Sequence, residues 1–429
     1  MNRLLLQEMV KWKDSKKRKP LILAGARQVG KTWLMKELGR QNFKQTAYFN
    51  FESSERMRKL FATDFDINRI ITVLETEMNQ KIDVANTLII FDEIQEAERA
   101  LTVLKYFYEQ APQYFVVAAG SLLGISLQKD NSFPVGKVDM IKMYPLSFLE
   151  FLHALGEERL AQQVQLKEWK VISVFHEKLI ELLRLYYFIG GMPEAVADYI
   201  ENKDLASIRS IQQKILMGYE NDFAKHAPHG IVPRIRLVWN HLIGQLAKEN
   251  KKFIYGQVKK GARAKEFDLA INWLMSAGLV IKVSNVDKPD IPLHAYANLD
   301  FFKLFFVDIG LLNAHALVDQ KIILEKNNIL TGFKGALTEQ YVCQQLYAKT
   351  QLFYWSAERA TAEVDFLVQN KNEIVPIEVK AEENLKSKSL KVFAEKYKIK
   401  NSVRTSMKEY REESWMTNIP LYAIDTVIG

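Results

Sequence analysis

Short apolar runs alternate with amphipathic stretches over the first 145 residues of the chain. Each run is long enough for one buried strand, and the stretches between them, such as Ala100–Gln110, have helical spacing. Alternating strands and helices predict a parallel sheet covered by helices, with ligands bound at the carboxyl ends of the strands. The predicted strands are Leu21–Gly25, Thr46–Phe51, Leu88–Asp92, Tyr114–Gly120 and Val138–Met143.

The pattern of residues 146–215 is mostly helical. Apolar side chains recur at helical spacing around Phe148–Leu155 and Leu179–Tyr187. The segment Gly190-Gly191-Met192-Pro193 interrupts this pattern, and a new helix is predicted to start near Pro193, because proline suits the first turn of a helix. We interpret this part of the chain as a helical lid.

Residues 235–283 follow a different order, in which two helices enclose a short one and a strand comes last. In the second long helix, Phe267, Ala270, Ile271 and Leu274 recur at i, i+3, i+4 and i+7, and Gly278 ends it. This order is typical of a winged helix, and DNA-binding proteins of this type insert the second helix into the major groove. The predicted elements are the helices Ile235–Lys248, Ile254–Lys260 and Arg263–Ala277 and the strand Leu279–Val283.

The last hundred residues begin with a helix, Gly335–Ala348, and continue with strands. The turn Asn370-Lys371-Asn372 is predicted to join two of these strands into a hairpin, in which alternate residues share a face. The predicted strands are Leu352–Ser356, Glu363–Val368 and Ile374–Lys380.

Between the first predicted strand and the next helix lies Gly25-Ala26-Arg27-Gln28-Val29-Gly30-Lys31-Thr32, which fits the phosphate-loop pattern G-x-x-x-x-G-K-[ST]. The glycines let the backbone N–H groups face one point, and the helix N-terminus adds partial positive charge there. Lys31 is predicted to reach the β- and γ-phosphates of a nucleotide, and Thr32 to hold Mg²⁺. We therefore expect ATP and Mg²⁺ to bind at this loop.

Two acids, Asp92 and Glu93, follow another apolar strand. A carboxylate at the tip of a neighbouring parallel strand is well placed to bind Mg²⁺, so we assign the role of Mg²⁺ ligand to Asp92. Glu93 is predicted to be the base that orients or deprotonates the attacking water. Ser121, which follows a third strand, is a candidate sensor of the γ-phosphate or the water. The alternative for Ser121 is a plain turn at the end of a strand.

Acidic residues also lie inside the C-terminal apolar strands. Asp365 and Glu378 are predicted to bind one or two Mg²⁺ ions, and Lys380 to stabilise the transition state or activate water. Glu339 on the preceding helix could complete the metal shell. Two carboxylates and a lysine on adjacent strands form a set that cleaves phosphodiesters. The alternative is a pair of solvated sheet edges, although acids buried without a purpose are costly.

Composition limits the setting of the chain. Its 429 residues predict two to four domains, and a hydrophobic content of 48% can fill several cores. The single cysteine, Cys343, excludes a disulfide within one chain and favours a reducing, cytoplasmic setting. No apolar run approaches the length that spans a bilayer, so we expect no membrane association.

The net charge of +8 is unevenly distributed. Residues 211–290 hold 13 basic and 7 acidic side chains, a local charge of +6, which points to contact with DNA or another polyanion. Candidate phosphate contacts are Lys259, Lys260, Arg263 and Lys265. The alternative is a module that docks a protein partner and has a solvated basic face.

These motifs resemble those of prokaryotic AAA-type ATPases, close to the archaeal ATPase group, that carry a C-terminal domain of unknown function with a nuclease-like fold. The resemblance implies an α/β multidomain fold with a P-loop core at residues 1–145, a helical lid at 146–215, a winged helix at 216–290 and a PD-(D/E)XK nuclease-like domain at 291–429. It rests on the motifs Gly25–Thr32, Leu88–Gln95, Tyr144–Phe148, Gly190–Pro193, Asp308–Leu312 and Glu378–Lys380.

One position departs from the family pattern. Relatives have Gly-Arg where this chain has Gly136-Lys137, and that arginine is a candidate finger that reaches the ATP of a neighbouring subunit. Lysine keeps the charge but lacks the planar fork of a guanidinium, so hydrolysis activated in trans within a homo-oligomer is in doubt.

Two hypotheses about function remain open from the sequence. In the first, Mg²⁺-dependent ATP hydrolysis moves a DNA-binding or DNA-processing C-terminal region. In the second, the chain is a nucleotide-controlled binding switch, whose nuclease-like fold holds DNA or a protein partner and cuts nothing. A complete set of Glu339, Asp365, Glu378 and Lys380 argues mildly for the first.

Overall fold

The apolar runs of the chain form two separate sheets, one in each of two structural units. The N-terminal unit comprises Asn2–Tyr144 with Ser276–Gly278, and the C-terminal unit comprises Pro145–Met275 with Leu279–Gly429. The computed structural model describes residues 3–121, 123–125, 136–248, 251–261, 263–324, 331–357, 362–381 and 387–428. Among these residues, no helix combines the length and the apolar character that crossing a membrane requires.

The sheet of the N-terminal unit has five parallel strands in the order β2-β3-β4-β1-β5. Every residue of β3 is buried, as expected for a strand covered on both faces. The five predicted strands are confirmed to within one residue at either end, and so is the parallel sheet. The strands are β1 (Leu21–Ala24), β2 (Gln45–Asn50), β3 (Thr87–Asp92), β4 (Phe115–Gly120) and β5 (Asp139–Lys142).

Aromatic packing holds β3 in the core of this unit. The ring of Phe91 lies 5.5 Å from that of Phe51, 5.8 Å from Phe61 and 6.0 Å from Phe107, measured between centroids. These contacts fix the strand end that carries Asp92. The helices of the unit are α1 (Leu5–Asp14), α2 (Lys31–Asn42), α3 (Glu55–Arg58), α4 (Ile67–Met78) and α5 (Ala100–Gln110), with a 3-10 turn at Ile94–Glu96.

The C-terminal unit begins with a series of helices, as the pattern of residues 146–215 predicts. Its α-helices are α6 (Phe148–Ala154), α7 (Glu158–Leu166), α8 (Trp169–Val174), α9 (His176–Ile189), α10 (Pro193–Asn202), α11 (Leu205–His226), α12 (Val232–Leu246), α13 (Tyr255–Val258), α14 (Ala264–Ser276), α15 (Ile309–His315), α16 (Gln320–Leu324), α17 (Thr331–Tyr347) and α18 (Lys388–Tyr397). Its 3-10 helices are His229–Ile231, Leu293–Tyr296 and Leu421–Val427.

The second sheet is mixed and has eight strands in the order β12-β13-β11-β10-β9-β8-β6-β7. Strands β9 and β10 form the predicted antiparallel hairpin. The strands are β6 (Val280–Val286), β7 (Ala297–Phe306), β8 (Phe353–Ser356), β9 (Glu363–Asn370), β10 (Glu373–Val379), β11 (Ser402–Ser406), β12 (Arg411–Glu412) and β13 (Met416–Pro420).

This sheet crosses the predicted boundary between residues 290 and 291. Strand β6 pairs antiparallel with β7 and also parallel with β8, so the strand assigned to the winged helix shares a sheet with the nuclease-like region. The order of helix, short helix, helix and strand is present as predicted, in α12, α13, α14 and β6. The four-domain division remains a prediction.

Three of the family motifs meet at the buried carboxylate of Asp308. Its Oδ2 accepts hydrogen bonds from the Gly191 N–H at 2.6 Å and from Gln344 Nε2 at 3.1 Å, and its Oδ1 accepts one from the Leu311 N–H at 3.0 Å. The Leu146 N–H donates to the carbonyl of Gly191 at 2.7 Å, which links the third motif. The motifs therefore hold the helices of the C-terminal unit together.

Replacing Asp308 with alanine should lower the free energy of unfolding of the C-terminal unit by roughly 3 kcal/mol. The change leaves at least two buried N–H groups without acceptors, and each costs about 1–3 kcal/mol. The measurement is urea denaturation. Asp204→Ala is the matched control, because Asp204 also accepts from two backbone N–H groups but in an exposed cap, where loss costs about 1 kcal/mol. Equal effects of the two changes would contradict the prediction.

Candidate functional site

The phosphate loop connects β1 to α2 and bends closely past β5. A Cβ atom on Gly25 would lie 2.2 Å from the carbonyl oxygen of Met143, so only glycine fits there. Gly30 adopts left-handed backbone geometry (φ 95°, ψ 23°) directly before the first residue of α2, a conformation that glycine adopts at little cost. The sequence folds locally into the strand, loop and helix that the motif predicts.

Lys31 is buried inside this loop, with 6% of its surface exposed. Its Nζ donates to the carbonyl oxygens of Gly25 at 2.9 Å and Ala26 at 2.7 Å. Burial lowers the pKa of Lys31 to about 8, although the charges of Glu93 and Asp92 act in the opposite direction. The ammonium group is therefore held at the loop with partners that an anionic phosphate can replace.

Thr32 and Asp92 lie together, as the motif predicts. Thr32 Oγ1 donates to Asp92 Oδ2 at 2.7 Å, and the Tyr48 hydroxyl donates to the same oxygen at 2.8 Å. Burial raises the pKa of Tyr48 to about 12, so its hydroxyl stays protonated. The Thr32 hydroxyl and the Asp92 carboxylate form a compact pair of oxygen donors, which fits a hard cation such as Mg²⁺.

Glu93 is held by three hydrogen bonds. Ser121 donates to its carboxylate from Oγ at 2.8 Å and from its backbone N–H at 3.2 Å, and Gln95 Nε2 donates at 2.7 Å. Burial would raise the pKa of Glu93, but these donors and the charge of Lys31 outweigh it and leave the pKa lowered. The left-handed backbone of Glu93 (φ 49°, ψ 48°) is a strained conformation that persists where surrounding contacts fix it.

The strand order explains why Ser121 reaches Glu93. Strand β4 lies between β1, which leads into the loop, and β3, which carries the acids. Ser121 therefore emerges beside Glu93. The sequence did not assign Tyr48 or Gln95 to the site. Gln95 follows Glu93 by two residues and could have been considered, whereas the spacing gives no signal for Tyr48, which lies 44 residues from Asp92.

Lys137, which replaces the family arginine, has partners in its own unit. Its Nζ lies 3.0 Å from Glu109 Oε1 and 5.5 Å from the centre of the Tyr108 ring. Arg27, in the phosphate loop, acts electrostatically on Lys31 and lowers its pKa.

The basic residues of the middle segment lie on the surface. Lys259, Lys260, Arg263 and Lys265 are all exposed, around the turn that joins α13 to α14 and in the first turn of α14. Residues 251–265 contain six basic side chains and no acidic one. The predicted contact surface is thus accessible and mostly basic, with one exposed acid, Glu266, in the first turn of α14.

In the second sheet, β9 and β10 bring two predicted acids together. Phe366 pairs with Ile377, so Asp365 and Glu378 lie at adjacent positions of the hairpin. Asp365 Oδ2 accepts a hydrogen bond from the Val379 N–H at 2.7 Å. Lys380 Nζ donates to Glu378 Oε1 at 2.6 Å, as expected for alternate residues that share a face.

Two lysines that were not among the predicted site residues contact the Glu339 carboxylate. Lys251 Nζ donates to Glu339 Oε1, and Lys303 Nζ lies 3.7 Å from Glu339 Oε2 and 2.6 Å from Glu363 Oε1. The side chain of Lys303 is fully buried. Its position inside the apolar run of β7 was a usable signal, because lysine is almost never buried without a partner.

The charges of this cluster act strongly on each other. Burial raises the pKa of Asp365 well above its usual value, and Glu339 and Glu378 raise it further. Burial also raises the pKa of Glu378, although Lys380 opposes this. Burial would raise the pKa of Glu339 too, but Lys251 and Lys303 outweigh it and hold that pKa below its usual value.

The cluster fits a divalent metal poorly. Within the described part of the chain, no three side chains among His, Cys, Asp and Glu lie close enough together to hold a metal ion. Two buried oxygens, Glu339 Oε2 and Glu378 Oε2, lack hydrogen-bond donors. Lysines already compensate these acids, since Lys251 and Lys303 contact Glu339 and Lys380 contacts Glu378, and a dication would have to compete with them.

Comparison with known families agrees with the geometry of the phosphate loop. Residues 17–152 match the family described as an AAA domain, a span that contains the loop, Asp92, Glu93 and Ser121. This part of the chain is therefore an AAA-type P-loop domain. Residues 180–321 and 334–424 match two families described as domains of unknown function, DUF8612 and DUF4143.

No protein of curated function matches the chain. Among solved structures, the chain is similar to the Orc1 protein of Aeropyrum pernix in complex with DNA, at 13% sequence identity. The match covers 73% of this chain and 90% of that chain, with a TM-score of 0.29. A likeness this weak adds nothing to what the strand order already establishes.

Proposed function

We propose that the protein is a Mg²⁺-dependent ATPase whose nucleotide state controls a DNA-binding C-terminal region. The main support for ATP hydrolysis is a hydrogen-bonded set beside the phosphate loop, formed by Glu93, Ser121 and Gln95. A loop that only bound nucleotide would need no second acid, held in a strained conformation, directly after β3. The match of residues 17–152 to the AAA domain supports the same reading.

In the proposed reaction, Lys31 exchanges its two carbonyl partners for the β- and γ-phosphates. Thr32 and Asp92 would hold Mg²⁺, and the ion would supply positive charge to the phosphate oxygens. Tyr48 keeps the Asp92 carboxylate in position. Glu93 takes a proton from water as the water oxygen bonds to the γ-phosphorus and the bond to the bridging oxygen breaks, which leaves ADP and phosphate.

Ser121 connects this chemistry to the nucleotide state. It holds Glu93 through both its hydroxyl and its N–H, and it lies at the tip of β4 beside the loop strand. Loss of the γ-phosphate changes the charge near Lys31 and Glu93, and Ser121, which is hydrogen-bonded to Glu93, can move in response. We propose that this movement is transmitted to the rest of the chain.

The exposed basic segment supports DNA as the partner of the C-terminal region. The four exposed side chains of this segment, Lys259, Lys260, Arg263 and Lys265, provide a surface for a polyanion. One observation favours the second hypothesis, a switch that binds and does not cut. Lys251 and Lys303 already neutralise the acid that would complete a nuclease metal shell. Homo-oligomers and protein partners remain predictions.

The first test is ATP binding and turnover by the full chain with Mg²⁺ and with Lys31→Ala. Removing an ammonium that forms charge-assisted bonds to phosphate costs about 2–3 kcal/mol, so ATP affinity should fall roughly 100-fold. Binding should also weaken as the pH rises, because Lys31 loses its proton near pH 8. Each pH unit above that value should lower the ATP affinity by up to about tenfold. Isothermal titration calorimetry measures both effects, and Lys44→Ala, at an exposed position just after α2, is the control. Wild-type affinity in Lys31→Ala would refute the site.

A further inference from the structure

We propose that Lys251 and Lys303 take the place of a metal cation in the C-terminal carboxylate cluster, which is a metal-free ion-pair site and does not cleave phosphodiesters. The cluster consists of Glu339, Glu363, Asp365 and Glu378 with Lys251, Lys303 and Lys380. This inference rests on the geometry of the C-terminal unit and does not depend on the ATPase activity.

Lys303 is the central observation. Its side chain is fully buried on β7, its Nζ lies between Glu339 and Glu363, and the Tyr354 ring lies 4.9 Å from it. A lysine buried this completely is stable only beside carboxylates that compensate its charge. A dication bound to Glu339 would lie within a few ångströms of this ammonium, and the repulsion between them would be strong in a low dielectric.

The remaining predicted metal ligands are also engaged by the chain itself. Both oxygens of Glu339 face lysines, Asp365 accepts from the Val379 N–H at 2.7 Å, and Glu378 accepts from Lys380 at 2.6 Å. A metal would have to displace these partners, and Lys303, whose side chain is fully buried, would then lose the carboxylates that compensate its charge. Breaking a buried ion pair in this way costs about 3–5 kcal/mol.

The charge count points in the same direction. Four carboxylates face three ammonium groups, so the cluster is within one unit of neutrality before any metal binds. A divalent ion would overshoot to a positive cluster inside the protein. The two buried oxygens without donors, on Glu339 and Glu378, can each be satisfied by a water.

The experiment uses the full chain with Asp92→Asn, which weakens the metal site at the phosphate loop, and no nucleotide. Calorimetry should detect no Mn²⁺ binding tighter than about 1 mM. Adding Lys303→Met to this chain removes the lysine partner of Glu363 and leaves Glu339 with Lys251 alone, so Mn²⁺ should then bind at least tenfold more tightly and raise the melting temperature. Lys251→Ala, at a side chain 12% exposed, is the milder variant should Lys303→Met fail to fold.

Two results would overturn the proposal. One is Mn²⁺ binding by the Asp92→Asn chain that Glu378→Gln abolishes, or cleavage of duplex, single-stranded or branched DNA that Glu378→Gln abolishes. The other is a failure of both lysine variants to gain any Mn²⁺ affinity while they remain folded by circular dichroism. Neither result would bear on ATP turnover, so this proposal and the proposed ATPase fail independently.

Discussion

Replacement of Glu93 by glutamine should leave ATP binding intact and lower the rate of ATP hydrolysis by a factor of about 10²–10⁴. Glutamine keeps the size of the side chain, and its one amide oxygen can still accept from Gln95 and the Ser121 N–H, but it cannot take a proton from water. Binding depends on Lys31, Thr32 and the loop amides, which this change leaves in position. Equilibrium binding by calorimetry and single-turnover hydrolysis separate the two effects.

Two further variants make this test specific. Glu98→Gln removes an exposed acid nearby and should hydrolyse ATP at the wild-type rate. Ser121→Ala removes one of the three donors to Glu93, so its rate should fall less, by about tenfold. A rate in Glu93→Gln that matches Glu98→Gln would show that Glu93 is not the base.

The pH dependence gives an independent check. Ser121, Gln95 and Lys31 hold the pKa of Glu93 below its usual value, so Glu93 stays ionised at pH values where an ordinary glutamate takes up a proton, about 4.3. The loss of hydrolysis on the acid side should therefore appear below that pH. In Ser121→Ala, which lacks one of these donors, the loss should begin at a higher pH.

Much of the nucleotide site was predictable because its signals are local. The glycines, Lys31 and Thr32 lie within eight residues, and the buried strand before Asp92 is a continuous apolar run. Five such runs predicted five strands correctly. Ser121 was identified because it follows the last apolar residue of β4, although its bond to Glu93 depends on the strand order, which apolar runs do not encode.

The rest depends on contacts between distant residues. Tyr48 on β2 donates to Asp92 at the end of the adjacent strand β3. Glu339 contacts Lys251, which lies 88 residues earlier in the chain, and Lys303, which lies on β7. Strand β7 was not predicted, because its first half is exposed and its second half is buried, which gives neither strict alternation nor a uniform apolar run. Without β7, the sequence could not show that a lysine points at the predicted metal ligands.

Neutralising the basic segment should lower DNA affinity by about 10³-fold at 0.1 M salt. The variant replaces Lys259, Lys260, Arg263 and Lys265 with alanine. Each phosphate contact contributes a salt dependence of about 0.9 in the slope of log K against log salt, and four lost contacts remove about 3.6 from that slope. Fluorescence anisotropy with a labelled duplex, titrated over a salt series, measures both the affinity and the slope.

The matched control has the same change in net charge at another exposed surface. Lys388, Lys391, Lys398 and Lys400 lie on and just after α18, and all four are exposed. Alanine at these positions should leave the affinity within about threefold and the slope within about one unit, because only the long-range field changes. Equal losses in the two variants would mean that net charge, and not this segment, governs binding.

The salt slope also separates DNA from a protein partner as the ligand of this surface. If the basic segment docks a protein instead, the wild-type chain should bind duplex DNA no more tightly than its quadruple variant, and the slopes should agree. If it contacts DNA, repeating the titration with ATP and with ADP tests the coupling. Glu93→Gln, which binds ATP without hydrolysing it, should keep the affinity of the ATP state, whereas the wild-type chain should change to the affinity of the ADP state as it hydrolyses ATP. The carboxylate cluster is already neutralised by its lysines and would not cleave DNA that the basic surface binds. The chain would then be a nucleotide-controlled DNA-binding protein that leaves the strand intact.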